Sequence, residues 1–139
     1  MINRSLAQLY ALVVGSVLVG AGIVGFFYSA DFSYNPTTHS EVFTILAVNG
    51  WHNALHITTG LVGLLAVSYA ARTYALTVGI AYIAIAVWGI VVGTDHSIIT
   101  TLPVNTEDNI LHLAIGGVGV IAAIASSSKS VAAPPPASP

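Results

Sequence analysis

Four apolar segments, each about 20 residues long, constrain the fold of this chain more than any other feature. They cover residues 9–28, 51–70, 74–93 and 109–125. A helix of about 20 apolar residues crosses the hydrocarbon core of a bilayer, where every backbone group must be hydrogen-bonded internally. The segments therefore predict four transmembrane helices. The wall of a β-barrel is disfavoured, because no segment alternates polar and apolar residues with a period of two.

The composition agrees with a membrane protein. Of the 139 residues, 55% are hydrophobic and only 6% are charged, whereas soluble domains are about 25% charged. A net charge of −2 is too weak and of the wrong sign to attract nucleic acid. Because cysteine is absent, the chain has no disulfide, thiolate metal site or cysteine nucleophile.

The charges predict the orientation of the helices. Arg4, Arg72 and Lys129 fall on one side of the predicted membrane, and all five acidic residues fall on the other. The positive-inside rule then places both termini in the cytoplasm, as in a multi-pass protein of a bacterial inner membrane. Residues 1–125 form the predicted transmembrane domain. Residues 126–139, rich in Pro, Ser and Ala, are expected to form a disordered cytoplasmic tail.

The sequence indicates an internal duplication of a helical hairpin. Residues 46–66 and 102–122 align without a gap and are identical at nearly half of their positions, including paired Asn and His residues. The predicted first and third helices match more faintly, at residues 10–15 and 74–79. The fold class predicted is therefore an all-α bundle of four transmembrane helices, built from two hairpins related by an axis along the membrane normal.

The first connection is longer than the second. Its Thr38-His-Ser-Glu41 stretch matches a capping box and is followed by an apolar run. We expect either a short helix lying in the membrane interface or an irregular loop.

Four asparagines are predicted to have structural roles as polar groups. Asn49 and Asn105 precede the second and fourth helices and suit N-caps. Asn53 and Asn109 follow one turn later, on the faces that carry the histidines discussed below.

Glycines continue these faces toward the middle of the membrane. They are Gly60 and Gly63 in the second helix, and Gly116 and Gly119 in the fourth. Small residues let helices approach closely in lipid, so these four are predicted to lie at helix–helix contacts.

His56 and His112 occupy equivalent positions and should face the interior of the bundle at equal depth. Two such imidazoles from two helices suit the axial ligation of a haem or a chlorophyll, or a divalent metal ion. The metal alternative adds His52, one turn from His56, and Asp108, which occupies the equivalent position in the other half. Two other roles stay open. Neutral histidines can form hydrogen bonds across the helix interface and hold the bundle without any cofactor, or they can sense or transfer protons.

The repeated pattern resembles a family of small bacterial four-helix membrane proteins classed as a domain of unknown function. The residues that carry the resemblance are Val48, Asn49, His52, Asn53, Leu55 and His56, and Val104, Asn105, Asp108, Asn109, Leu111 and His112. The resemblance covers residues 9–125 apart from the 31–41 loop, and excludes the tail. It implies four helices in the inner membrane and no established reaction.

These observations predict a protein that is not an enzyme. Short connections leave no room for a catalytic domain outside the membrane, and the first expectation is a structural or accessory component of a membrane assembly. Its partners would be lipid and other membrane subunits or copies of itself. The alternatives are a haem-, pigment- or metal-binding membrane protein and, less favoured because the first and third helices are almost wholly apolar, a small transporter.

Overall fold

The computed structural model describes residues 4–34, 40–93, 98 and 101–127. Within them lie four helices, as the sequence predicts, together with one small hairpin. The elements are α1 (Leu6–Phe26), β1 (Ser40–Val42), β2 (Leu46–Val48), α2 (Gly50–Ala66), α3 (Ala71–Val92) and α4 (Thr106–Ser127). Residues 128–139, most of the predicted tail, lie outside the described residues, and 126–127 belong to α4.

The helix boundaries differ from the predicted ones by a few residues. α1 begins earlier because Ser5 and Gln8 form a reciprocal capping box. α2 has 17 residues and ends at Ala66. Since α3 begins at Ala71, Arg72 lies in the first turn of that helix and not between the predicted second and third helices, and its Nε donates to the Ala123 carbonyl over 3.2 Å.

Three of the four helices, α1, α3 and α4, are long and apolar enough to cross a membrane. Their outward faces carry large exposed apolar side chains such as Val17, Val91 and Ile121. Lipid is the solvent that such faces require, so the chain is suited to a membrane.

The helices pack most closely in two pairs, α1 with α2 and α3 with α4. Glycines meet at the centre of each pair. A Cβ built on Gly15 would lie 2.9 Å from the carbonyl oxygen of Gly60, and one on Gly79 would lie 2.9 Å from that of Gly116. Backbones in direct contact leave room for hydrogen alone, which explains why these positions are glycine.

Two tyrosines link the pairs at the end of the bundle where α1 begins. The Tyr10 hydroxyl donates to the Ile115 carbonyl of α4, and the Tyr74 hydroxyl donates to the Thr59 carbonyl of α2, each over 3.2 Å. Their ring centroids lie 6.2 Å apart. Tyr10 corresponds to Tyr74 and Thr59 to Ile115, so the two bonds are reciprocal.

Two asparagines make a second reciprocal link at the opposite end. The Asn49 side-chain amide donates to the carbonyl of Thr101, and the Asn105 side-chain amide donates to that of Ile45. In the sequence alignment, Ile45 and Thr101 are equivalent positions. Each asparagine therefore holds the connection that belongs to the other half of the chain.

The first connection contains a β-hairpin, so neither the interfacial helix nor the irregular loop expected there is correct. β1 and β2 are antiparallel, with Val42 opposite Leu46. Phe43 and Thr44 turn the chain with φ of 53° and 60°. The β-branched residues of this stretch, Val42, Ile45 and Val48, favour strands once they pack on the bundle. Residues 35–39, including Thr38, lie outside the described residues.

The second connection repeats this pairing in shorter form. Ile98 and Leu102 form an antiparallel bridge, with backbone bonds of 2.7 and 2.9 Å in the two directions. They correspond to Val42 and Leu46 in the alignment of the two halves. Both connections thus fold back over the same end of the bundle, beside the start of α2 and α4.

Candidate metal centre

Three histidines meet where α2 and α4 begin. One ring nitrogen from each of His52, His56 and His112 lies within 4.8 Å of the other two. The His52 ring centroid is 4.4 Å from that of His56 and 6.1 Å from that of His112. Helix periodicity explains the first contact, because residues four apart share a face. The third ring comes from α4, which contacts β2 just before α2 begins. We call the group the histidine cluster.

His52 is oriented by the hairpin. Its Nδ1 lies 2.9 Å from the Ala47 carbonyl oxygen, an acceptor, so Nδ1 carries the proton and donates. The lone pair is therefore on Nε2, which is free to bind a cation. A histidine that ligates a metal usually donates its other ring N–H to such a carbonyl.

His112 brings an unused acceptor or donor to the cluster. It is 6% exposed, and its Nδ1 is buried without a hydrogen-bond partner among the described residues. The Tyr82 ring packs edge-on against it, with centroids 4.9 Å apart. A buried polar atom without a partner is costly, and a bound ion would satisfy it.

Asp108, predicted as a fourth ligand, lies outside the group of three. Its carboxylate accepts from the backbone N–H of Ala47 over 3.0 Å and from that of Asn105 over 3.2 Å. Asp108 thus ties α4 to the same residue, Ala47, whose carbonyl orients His52. It acts on the cluster through the hairpin.

The asparagines lie around the cluster and not in it. Asn49 and Asn105 cap α2 and α4, their side-chain oxygens each accepting over 2.9 Å from a backbone N–H three residues on. Asn53 donates to the Ser29 carbonyl over 2.8 Å. The side-chain oxygens of Asn53 and Asn109 face glycines of α1 and α3, and they have no hydrogen-bond partner among the described residues.

The four predicted glycines lie at helix contacts. Gly60 and Gly116 meet the glycines of α1 and α3 described above. A Cβ on Gly63 would lie 2.5 Å from the Tyr74 hydroxyl, and one on Gly119 would lie 2.7 Å from the Tyr10 hydroxyl. The two glycines that accommodate the bridging tyrosines are therefore as constrained as those at the pair centres.

The sequence pattern did not single out Tyr82 or the partner glycines of α1 and α3. Tyr82 is a polar-tipped side chain in the middle of an apolar helix, and that exception was the available signal. Gly15 and Gly79 align with one another, but the sequence does not say which helix each one faces.

The geometry discriminates among the predicted cofactors. A haem or chlorophyll ligated by both His56 and His112 needs a flat macrocycle between the two rings. A His52 ring nitrogen lies within 4.8 Å of the ring nitrogens of both His56 and His112, so the His52 ring would collide with a macrocycle that extends sideways from the metal between them. A single ion fits better. Nitrogen ligands around a tetrahedral zinc ion lie roughly 3.3 Å apart. Side-chain rotations that move each ring nitrogen by about 1 Å would therefore let all three histidines bind one ion.

Comparison with known proteins identifies a family for the chain. A family described as Domain of unknown function (DUF4383) matches residues 8–125. The chain belongs to this family. The match includes the 31–41 loop, which the repeated motif left outside the resemblance. No curated protein and no solved structure matches the chain.

Proposed function

We propose that this DUF4383 chain is a four-span protein of a bacterial inner membrane that binds one divalent transition-metal ion at the histidine cluster. The observation that carries the proposal is the convergence of three imidazole nitrogens within 4.8 Å inside an apolar bundle. Buried polar groups are expensive in a membrane and mark functional sites by default.

Several features support α2 as the fourth span. α2 has 17 residues, the lower limit for a span, and it pairs along its length with α1. If it crosses, Arg4 and Arg72 lie on the same side, as the positive-inside rule requires of cytoplasmic residues. Both termini are then cytoplasmic.

The reciprocal contacts support an internal duplication. Each tyrosine bond, asparagine bond, glycine contact and connecting turn has an equivalent that is made by the aligned residues. An axis along the membrane normal relates such repeats when both run in the same direction. The histidine cluster then lies where the two halves meet.

The ligand types favour zinc or copper. Neutral imidazole suits Zn, Cu, Fe and Ni, whereas Mg²⁺ and Ca²⁺ prefer oxygen. A site with three protein ligands leaves one position for a further ligand. We regard the role as binding and not catalysis, within a membrane assembly or between copies of the chain.

Metal analysis of the purified protein tests the proposal. Untagged protein in a neutral detergent is stripped with a chelator, dialysed against Zn²⁺ and measured for bound zinc. We expect one zinc per chain, and more than about a hundredfold loss of affinity in His56→Ala and in His112→Ala, because each removes a ligand. Leu113→Ala, beside His112 and exposed on α4, serves as the matched control and keeps the zinc.

Two results would overturn the proposal. One is a wild type that is folded by circular dichroism and binds no stoichiometric metal, which would leave the histidines as packing groups of a structural subunit. The other is a Soret band in the protein as isolated that His112→Ala removes, which would replace the ion with a haem.

A further inference from the structure

Two grooves lead from the histidine cluster to the sides of the bundle. One lies between α2 and α3 and encloses about 300 Å³, and the other lies between α1 and α4 and encloses about 320 Å³. Both reach His52, His56 and His112 at their inner ends. Their walls are otherwise mostly apolar, and their outer edges carry exposed residues such as Ala81 in the first and Val17 in the second.

The charge of the site calls for an anion, an argument that rests on the proposed function. Three neutral imidazoles leave a divalent ion with its full charge, and an unpaired charge in an apolar interior is strongly unfavourable. Asp108, which accepts two backbone hydrogen bonds through its carboxylate, offsets about one unit of that charge from nearby. One further negative charge would neutralise the site.

The two grooves differ in whether they admit that anion. Asp108 lines the α1–α4 groove, where a second carboxylate would be repelled. No acidic residue is among the described residues that line the α2–α3 groove, and this groove adds Thr59 and Thr77 to the histidines. Tyr82 lines both grooves. This groove also lies between the two consecutive helices that pack least closely, because α2 and α3 have far less contact than α1 with α2 or α3 with α4.

We propose that the α2–α3 groove binds a long-chain carboxylate, a fatty acid, whose head occupies the open position of the metal ion and whose chain lies along the apolar wall. The membrane supplies such a molecule laterally, without passage through water. A volume of about 300 Å³ is at the small end of ligand pockets, which suits a single chain and not a two-chain lipid.

Cobalt-substituted protein provides the test, since Co²⁺ suits the same imidazole ligands and its visible d–d bands report its ligands. Palmitate is titrated into Co²⁺-loaded protein in a neutral detergent, with acetate as the short-chain comparison. We expect palmitate to shift the bands at concentrations at least tenfold below those that acetate needs.

A matched pair of variants assigns the groove. Ala81→Phe fills the α2–α3 groove, and Val17→Phe places the same side chain at the aligned position in the other groove. Both leave the three histidines unchanged, so both should retain Co²⁺. We expect Ala81→Phe to weaken the palmitate response at least tenfold and Val17→Phe to leave it unchanged.

The outcomes separate the two proposals. Protein that binds no Co²⁺ overturns the metal site and this inference together. Protein that binds Co²⁺ but shows no palmitate shift keeps the metal site and overturns the inference. Equal responses to acetate and palmitate, or a loss in Val17→Phe alone, would also overturn it, because the head or the other groove would then account for binding.

Discussion

The two halves of the chain share their packing and differ in their chemistry. The glycines at the pair centres, the asparagine caps and the bridging tyrosines occur in both halves and make the same contacts. Residues common to both halves therefore hold the bundle together, and the shared set explains the fold without explaining a function.

Several residues at and around the histidine cluster differ between the halves. His52 aligns with Asp108, and Tyr82 aligns with Leu18. Ala47, whose N–H binds Asp108 and whose carbonyl binds His52, aligns with Pro103, which has no N–H to donate. A symmetric scaffold thus carries one asymmetric site, with the imidazole from one half and the carboxylate from the other meeting at a single residue of the hairpin.

Substitution of the shared glycines by alanine should destabilise the protein equally in both halves. A Cβ on Gly60 would lie 2.6 Å from the Gly15 carbonyl oxygen, and one on Gly116 would lie 2.7 Å from that of Gly79. Because backbone cannot move aside cheaply, Gly60→Ala and Gly116→Ala should each lower the free energy of unfolding by about 3 kcal/mol. Thermal or denaturant unfolding in detergent measures the change.

Gly117→Ala is the control for this comparison. A Cβ there meets nothing within 4 Å, and alanine favours a helix by about 0.5–1 kcal/mol over glycine. This variant should be as stable as the wild type or more so. A large loss in only one of the Gly60 and Gly116 variants would show that the two halves do not pack alike.

Making the halves alike should destroy the site and spare the fold. His52→Asp gives the first half the residue of the second, and it removes one ligand of three. We expect zinc affinity to fall about a hundredfold or more, since loss of a ligand exceeds the loss of a residue that only supports one. Thr58→Ala, on the exposed side of the same helix, should bind zinc normally. Unchanged zinc binding in His52→Asp would remove His52 from the site.

Substitution of Asp108 should lower zinc affinity less than loss of a ligand does, and more than substitution of its neighbour Glu107. Asp108→Asn weakens the bond to the Ala47 N–H and with it the orientation of His52, so zinc affinity should fall about tenfold. Glu107→Gln changes the same charge one residue earlier, on an exposed position of α4, and should have little effect. Equal losses in the two variants would indicate a general electrostatic effect in place of the positioning role.

The sequence predicted the elements that depend on local pattern. Apolar length located the four helices, the asparagine caps followed from residue type, and the aligned motifs singled out His56 and His112, whose ring nitrogens lie within 4.8 Å of one another. It did not predict the hairpin, because the strand pairing of residues 40–48 is stabilised by packing on the bundle and not by local propensity alone.

The missed parts of the site depend on long-range backbone contacts. The role of Asp108 follows from an N–H of Ala47, 61 residues earlier in the chain, and a backbone partner leaves no trace in a side-chain pattern. Likewise, the identity of Gly15 as the partner of Gly60 requires knowing which faces of α1 and α2 meet. The sequence therefore indicates which residue types matter but not which residues they contact.

The bridging tyrosines offer the finest test of the comparison between halves. Tyr10→Phe and Tyr74→Phe each delete one hydroxyl that donates across the halves over 3.2 Å. Side-chain hydrogen bonds in membrane proteins average about 0.6 kcal/mol, so each variant should lose about that much stability in unfolding experiments. The two rings lie 6.2 Å apart, close enough for the losses to be coupled. If the double variant loses clearly more or less stability than the sum of the two single losses, the two hydrogen bonds are coupled. Unequal losses in the single variants would show that the two bonds do not stabilise the bundle equally.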